Sequence, residues 1–248
     1  MSKFNFNIDI IDRDDQLEKS HNNSITLLKD YIDHQYVDLG LPSKTLWYKY
    51  NLGVNPINLN ASIDWNGNYY AWGELKPKDD YSWETYLYCV NAFNNLTKYC
   101  ADSAYGNNSF IDGKTELELK DDAANNINPK SKIPTKEDFR ELINNTYNNW
   151  KDNYNGIENL KGYVFKSKIN DNEIFLPAGG FRTARTVNDH KICEEGYYWT
   201  SMINDSTVGS CYAYRLTFNC NNHVNIGNTA RCVGFMIRPI INKLMENK

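Results

Sequence analysis

Apolar residues in this chain alternate over short runs, and Gly, Pro, Asn or Asp breaks each run within a few positions. That rhythm predicts short strands joined by turns, with few helices. Val37–Pro42 and Thr45–Leu52 read as strand, turn and strand, and Asp64-Trp-Asn-Gly-Asn68 as a turn before the buried aromatic run Tyr69-Tyr-Ala-Trp72. Gly162-Tyr-Val-Phe165 and Glu173-Ile-Phe-Leu176 read as paired strands turning at Asn170-Asp-Asn172. From Gly196-Tyr-Tyr-Trp199 to Gly234-Phe-Met-Ile-Arg-Pro239 the pattern predicts consecutive short strands separated by polar loops, the last strand buried. One helix is well marked. Thr135 stands where an N-cap is needed, Glu137 and Asp138 complement the helix dipole, and Phe139, Leu142 and Ile143 form the apolar face up to Asn144-Asn145. The sum is an α+β fold, rich in strands and loops. A rigid scaffold that holds polar loops outward points to recognition rather than chemistry.

The first 33 residues differ. Phe4, Phe6, Ile8 and Ile10 alternate like a short strand, and Leu17, His21, Ile25, Leu28 and Ile32 recur at helical spacing. Such a stripe serves either as a docking or oligomerising helix or as a helix packed on its own domain. The expected organisation is an attachment segment at 1–33, a main domain at 34–241 and a tail at 242–248.

Composition narrows the function. The chain has 248 residues and a formal net charge of -4, so no basic face is expected for nucleic acid. The N-terminal residues lack the apolar stretch of a secretory signal, and no run is long enough to span a membrane; the expectation is a protein made in a cytosol. Aromatic residues make up 14% of the chain, which suits both half-buried strands and contact surfaces, so their abundance does not choose between them. The six cysteines at 89, 100, 193, 211, 220 and 232 form no C-x-x-C pair, and the expectation is reduced thiols with no resident metal or cofactor. In a regular strand over 211–220, Cys211, Ala213, Arg215, Thr217 and Asn219 share one face, while Cys220 joins the apolar face with Leu216 and Phe218. The two cysteines then point apart. None of His21, His34, His190 and His223 lies in a nucleophile motif, and Asp121-Asp122 reads as a solvated acidic turn rather than a cation site.

Ten segments occur in an order that marks a family. They are Tyr36-Val-Asp-Leu-Gly-Leu-Pro-Ser43, Thr45-Leu-Trp47, Tyr70-Ala-Trp-Gly-Glu74, Leu96-Thr-Lys-Tyr-Cys100, Asp112-Gly-Lys-Thr115, Asp121-Asp-Ala-Ala124, Pro134-Thr-Lys-Glu-Asp-Phe139, Phe175-Leu-Pro-Ala-Gly179, Gly196-Tyr-Tyr-Trp199 and Gly234-Phe-Met-Ile-Arg-Pro239. Over about residues 35–241 the chain resembles the Fibrobacter succinogenes major paralogous domain, found in gut Bacteroidetes and their phages. The resemblance implies a C-type-lectin-like fold of the kind also seen in formylglycine-generating enzymes. That fold hosts enzymes, lectins and display proteins, so it does not by itself set the activity. Family members commonly carry a signal peptide or lipid anchor, and this chain departs from that. The expectation that follows is a non-enzymatic virion protein of a phage, a head fibre or decoration. It would be attached to the capsid through residues 1–33 and oligomeric, a trimer by analogy. Its loops would meet a host-surface glycan or protein. A secreted bacterial adhesin and an oxidase of the formylglycine-generating type are the alternatives. Ser210-Cys-Tyr-Ala-Tyr-Arg215 superficially resembles the oxidase thiol region, but the calcium-lectin triplets Glu-Pro-Asn and Gln-Pro-Asp are not present in the sequence.

The contact residues are expected in the loops 185–195, 202–210 and 221–231. They are Asn188, His190, Asn204, Asp205, Ser206, Thr207, Asn222, His223, Asn225 and Asn228. Trp199, Phe218, Phe235 and Pro239 are expected in the core, with Arg182 and Arg238 as ion-pair or carbonyl-binding groups.

Overall fold

The computed structural model describes residues 35–184, 190–204 and 209–242. The chain divides after Tyr36, and the account below concerns the larger unit. The expectations for residues 1–33 and for the tail after Asn242 lie outside the described residues.

The fold is α+β and rich in strands, as the alternating pattern predicts. Three sheets carry it. The first joins β1 (Tyr36–Asp38), β2 (Thr45–Tyr48) and β11 (Ile240–Asn242), with β2 lying between the opening and closing strands. Trp47 stands opposite Ile240 in that antiparallel pair. The second is the meander β3 (Thr146–Lys151), β4 (Gly162–Ser167) and β5 (Glu173–Pro177), in which the expected β4–β5 pairing is present. The third has the order β10-β9-β8-β6-β7, built from β6 (Gly179–Phe181), β7 (His190–Ile192), β8 (Glu195–Ile203), β9 (Tyr212–Asn219) and β10 (Val224–Ala230).

Among the described residues there are two α-helices, α1 (Ala123–Ile127) and α2 (Lys136–Asn145). Thr135 caps α2 as expected, its hydroxyl accepting from the Asp138 N–H at 3.1 Å while the Asp138 carboxylate accepts from the Thr135 N–H at 2.8 Å. Phe139 and Leu142 are fully buried, and α2 packs against β8, β9 and β10. One face of the five-stranded sheet is thereby covered.

The opposite face meets the segments around Tyr70 and Phe235. The stretch expected as a final strand, Gly234–Pro239, is instead held by three single bridges, Gly234 to Arg182, Phe235 to Tyr70 and Met236 to Tyr198. It is buried as predicted, but each residue pairs with a different neighbour, so no continuous ladder forms. Trp199, Phe218 and Phe235 lie in one aromatic core with Trp47 and Trp72. Gly196 is required there: a Cβ would stand 2.1 Å from the Phe218 ring, where only a hydrogen fits.

β8 is irregular. Its register against β9 slips between Trp199 and Ile203, so β8 advances four residues while β9 advances two. The freed backbone groups bond elsewhere, Ser201 N–H to Pro134 O and Ser201 O from Leu117 N–H, both at 2.8 Å. The bulge thus sits on β8, and β9 itself keeps a regular alternation against β10.

Candidate functional site

Regular pairing of β9 with β8 and β10 sets three residues in each cross-strand row. Tyr197, Thr217 and Asn225 form one row, and Trp199, Arg215 and Gly227 the next. Glu195 and Thr229 continue the same face at two-residue steps. Trp199 is buried, whereas Glu195, Tyr197, Arg215, Thr217 and Thr229 are partly exposed and Asn225 is exposed. This face passes from aromatic core to polar surface within two rows.

Arg215 is the unusual member. Its guanidinium lies 4.9 Å from the Tyr197 ring centre and 6.0 Å from that of Phe235. Its Nε and Nη1 are enclosed and have no hydrogen-bond partner. Burial pulls its pKa downward, against the attraction of Tyr197 and Glu195. Glu195 is the carboxylate in reach, but it accepts the Tyr197 hydroxyl. Burial first, and then that carboxylate, pushes the Tyr197 phenol up to about 12, so it remains a neutral donor. Tyr197 in turn stacks on Phe235 at 5.1 Å and meets Phe181 at 5.0 Å. The cation therefore lies against aromatic rings, and its row neighbour Gly227 contributes only backbone.

The other arginines of this region are used differently. Arg238 is buried and donates to Asn51 Oδ1 at 2.9 Å, Tyr48 O at 3.0 Å, Lys49 O at 2.6 Å and Phe175 O at 2.7 Å. It is the carbonyl clamp expected from the sequence, and burial brings its pKa down to about 10. Arg231 is fully buried between Trp72 and Tyr86, 5.3 Å from each ring centre, and donates to Tyr99 O at 2.9 Å and Lys98 O at 3.2 Å. Arg182 packs over Tyr69 at 4.4 Å.

Several expected contact residues take other places. Asn204 is a correction: it is 3% exposed, with its N–H bonded to Tyr212 O at 2.9 Å, because the β8 bulge carries it inward. Asn188, Asp205, Ser206 and Thr207 lie outside the described residues, as does the side chain of His190, whose backbone opens β7. Asn222 and His223 are exposed at the β9–β10 turn, where Asn222 adopts φ 57° and its Oδ1 accepts from the Tyr163 hydroxyl at 3.2 Å. Asn225 and Asn228 are exposed too, but on a strand rather than a loop; the segment expected as a loop at 221–231 is mostly β10. Asn225 shares the Arg215 face, and Asn228, paired with Tyr214, lies on the other.

Asp121 and Asp122 correct the expected solvated turn, since both are buried. Asp122 caps α1, accepting from Ala124 N–H at 2.8 Å, Asn125 N–H at 3.1 Å and Ile133 N–H at 2.7 Å. Burial raises its carboxyl pKa against those three donors. At Asp121 burial acts the same way but is outweighed by Lys98 and the Tyr99 hydroxyl, which hold the carboxyl below its usual range.

The thiols also differ from expectation in detail. Cys220 is exposed at the end of β9 rather than part of the apolar face, and Cys211 is buried beside Leu96 and Cys100. All six cysteines are free, and three of them, Cys100, Cys211 and Cys232, are buried. Burial pushes Cys211 up to about 11 and Cys232 up to about 12, and raises Cys89, Cys100 and Cys193. These shifts run opposite to those of an activated nucleophile. Among the described residues no group of three His, Cys, Asp or Glu side chains converges for a metal ion, and no helix is long and apolar enough to cross a membrane. A groove of about 300 Å³ between Pro129–Lys132 and Ile241–Asn242 is mostly apolar, and the Asn125 amide in its wall already donates to Pro129 O and Ser131 O.

No family model, no curated protein and no solved structure matches this chain.

Proposed function

We propose that this protein is a non-enzymatic binding module, with a C-type-lectin-like fold, that displays the β8–β9–β10 face and its Asn221–His223 turn to a partner surface. The observation that carries this reading is the partly exposed Arg215, whose guanidinium lies against the Tyr197 ring and whose Nε and Nη1 have no protein acceptor. Such preorganised polar groups on a rigid scaffold suit recognition, because little ordering is required on binding. The upward-shifted thiols support a non-catalytic role, since each is held as the weakly nucleophilic thiol.

The resemblance to a family found in gut Bacteroidetes and their phages supports reading the display as part of a phage virion, a head fibre or decoration that meets host-surface glycan or protein. In this reading residues 1–33 attach to the capsid and bring copies together. The test is to label purified particles of the phage with antibody to this chain and to apply the purified full chain to arrayed bacterial surface glycans and to intact bacterial cells. Labelled particles together with retention on glycans or cells support the reading. Unlabelled particles remove the virion assignment, and lack of retention on every surface removes the binding function.

A further inference from the structure

We propose that the outer edge of β10 is an interface at which two copies of this chain pair antiparallel, joining their five-stranded sheets into one. The inference concerns how copies meet and does not depend on what the displayed face binds.

β10 is the last strand of its sheet and pairs with β9 on one side only. The phase of that pairing is fixed at both ends, where the Asn219 N–H donates to His223 O and the Arg231 N–H to Cys211 O, each at 3.1 Å. In an antiparallel ladder, successive residues turn their backbone groups alternately toward the neighbouring strand and away from it. Asn225, Gly227 and Thr229 therefore bond β9, while Val224, Ile226, Asn228 and Ala230 turn their N–H and C=O groups outward. Among the described residues the partner found there is the Val233 N–H, which donates to Ala230 O at 3.2 Å. The outward groups of Val224, Ile226 and Asn228 stay open.

An open edge is commonly guarded by a charge, a proline or sheer shortness. The other sheet edges follow that rule. β1, β7 and β11 have three residues each, β3 ends on Lys151, and β5 runs from Glu173 to Pro177. β10 has seven residues, Val-Asn-Ile-Gly-Asn-Thr-Ala, with neither charge nor proline. Asn225 and Asn228 are exposed and the rest of the strand is partly exposed.

A second copy fits this edge. With a two-fold axis at Gly227, Ile226 lies opposite Asn228 of the second copy and Val224 opposite its Ala230, so outward groups meet outward groups. The faces also match. On the Arg215 side Asn225 meets Thr229, an amide beside a hydroxyl, and on the side packed against the core Val224 meets Ala230. No like charges come together along the strand, the usual obstacle to self-pairing. Two glycines meet at the axis, in the kind of pair where antiparallel strands approach closest.

The experiment measures the mass of the full chain by sedimentation equilibrium and the exchange of its backbone amides by NMR. Asn228→Pro removes one outward donor and leaves every bond to β9 in place. Wild type is expected to have at least about twice the mass of this variant, whatever residues 1–33 contribute. Its Ile226 and Asn228 amides should exchange slowly and speed up on dilution. Asn228→Lys keeps the whole backbone and sets a charge beside the seam, and it should weaken association by about tenfold or more. Equal masses for wild type and both variants, or fast exchange at Ile226 and Asn228, would overturn the interface. Slow exchange that neither dilution nor Asn228→Lys alters would assign the edge to a segment of the same chain, and the pairing of copies would fall.

Discussion

Arg238 and Arg215 lie 23 positions apart, and the molecule treats them in opposite ways. Arg238 ties the β2 end, the β5 strand and Asn51 together through four acceptors. Arg215 rests against Tyr197 and Phe235, and two of its nitrogens have no acceptor. A buried donor left without a partner costs about 1–3 kcal/mol. The two arginines thus differ in how far the fold satisfies them, and under the proposed display role the less satisfied one is the group left for a partner. Arg231 stands nearer the first kind, with two carbonyls and two flanking rings.

Substitution makes the contrast measurable. Arg238→Ala strands the buried Phe175 carbonyl and Asn51 amide oxygen and the part-buried Tyr48 and Lys49 carbonyls, and it should cost about 3–5 kcal/mol of unfolding free energy in a denaturant titration. Arg231→Ala should cost about 2–3 kcal/mol, since fewer acceptors are orphaned although packing against Trp72 and Tyr86 is lost. If the two variants were as stable as wild type, the clamps would not be structural.

The pH dependence follows from the buried phenols and thiols. Tyr81 and Cys232 are pushed up to about 12 and Cys211 to about 11, each by burial. In the unfolded chain a thiol ionises near about 8.5 and a phenol near about 10. Above those values the unfolded state loses protons first, so stability is fully present below about pH 8.5 and declines as pH rises toward 11–12. Asp121 acts at the acid end with the reverse sign: its lowered carboxyl adds stability above the usual range, near about 3.9, that is lost as pH falls below it. Asp122, whose carboxyl burial raises, works the other way at that end, so unfolding midpoints measured from pH 7 to 11 should fall toward the alkaline end. A midpoint still rising at pH 10 would contradict the burial of these groups.

A smaller effect concerns thiol access. Exposed Cys220 should react with a maleimide at the rate of a free peptide thiol, while Cys211 and Cys232 should react only as the protein unfolds. Equal rates at all three would show that the core around Leu96 and Tyr86 opens freely.

Local signals in the sequence predicted much of this. Thr135 announced the cap of α2, the Asn170–Asn172 turn announced β4 and β5, and Trp199, Phe218 and Phe235 were readable as core from their alternation. Arg238 was recognisable as a clamp because a charge inside an apolar run needs acceptors. What stayed hidden depended on distant partners. The β8 bulge that buries Asn204 is set by Pro134 and Leu117, both remote in sequence. Asp121 and Asp122 look solvated until Lys98, Tyr99 and the α1 backbone are brought to them. The polar run 224–230 reads as a loop because its Asn and Gly residues are poor strand formers, and only pairing with β9 makes it a strand. Arg215 was placed on the correct face by parity, but its want of acceptors is a three-dimensional fact.

The central claim is that Arg215 serves a partner and not the fold, and denaturant unfolding of Arg215→Met beside Arg238→Met tests it most directly. The account predicts that Arg215→Met unfolds at the wild-type midpoint or later, a gain of up to about 1 kcal/mol, because a thioether replaces a group with two enclosed nitrogens that have no acceptor. It predicts a large loss for Arg238→Met. A comparable loss of about 3 kcal/mol or more in Arg215→Met would show that this arginine, too, holds the protein together, and the contrast would fail.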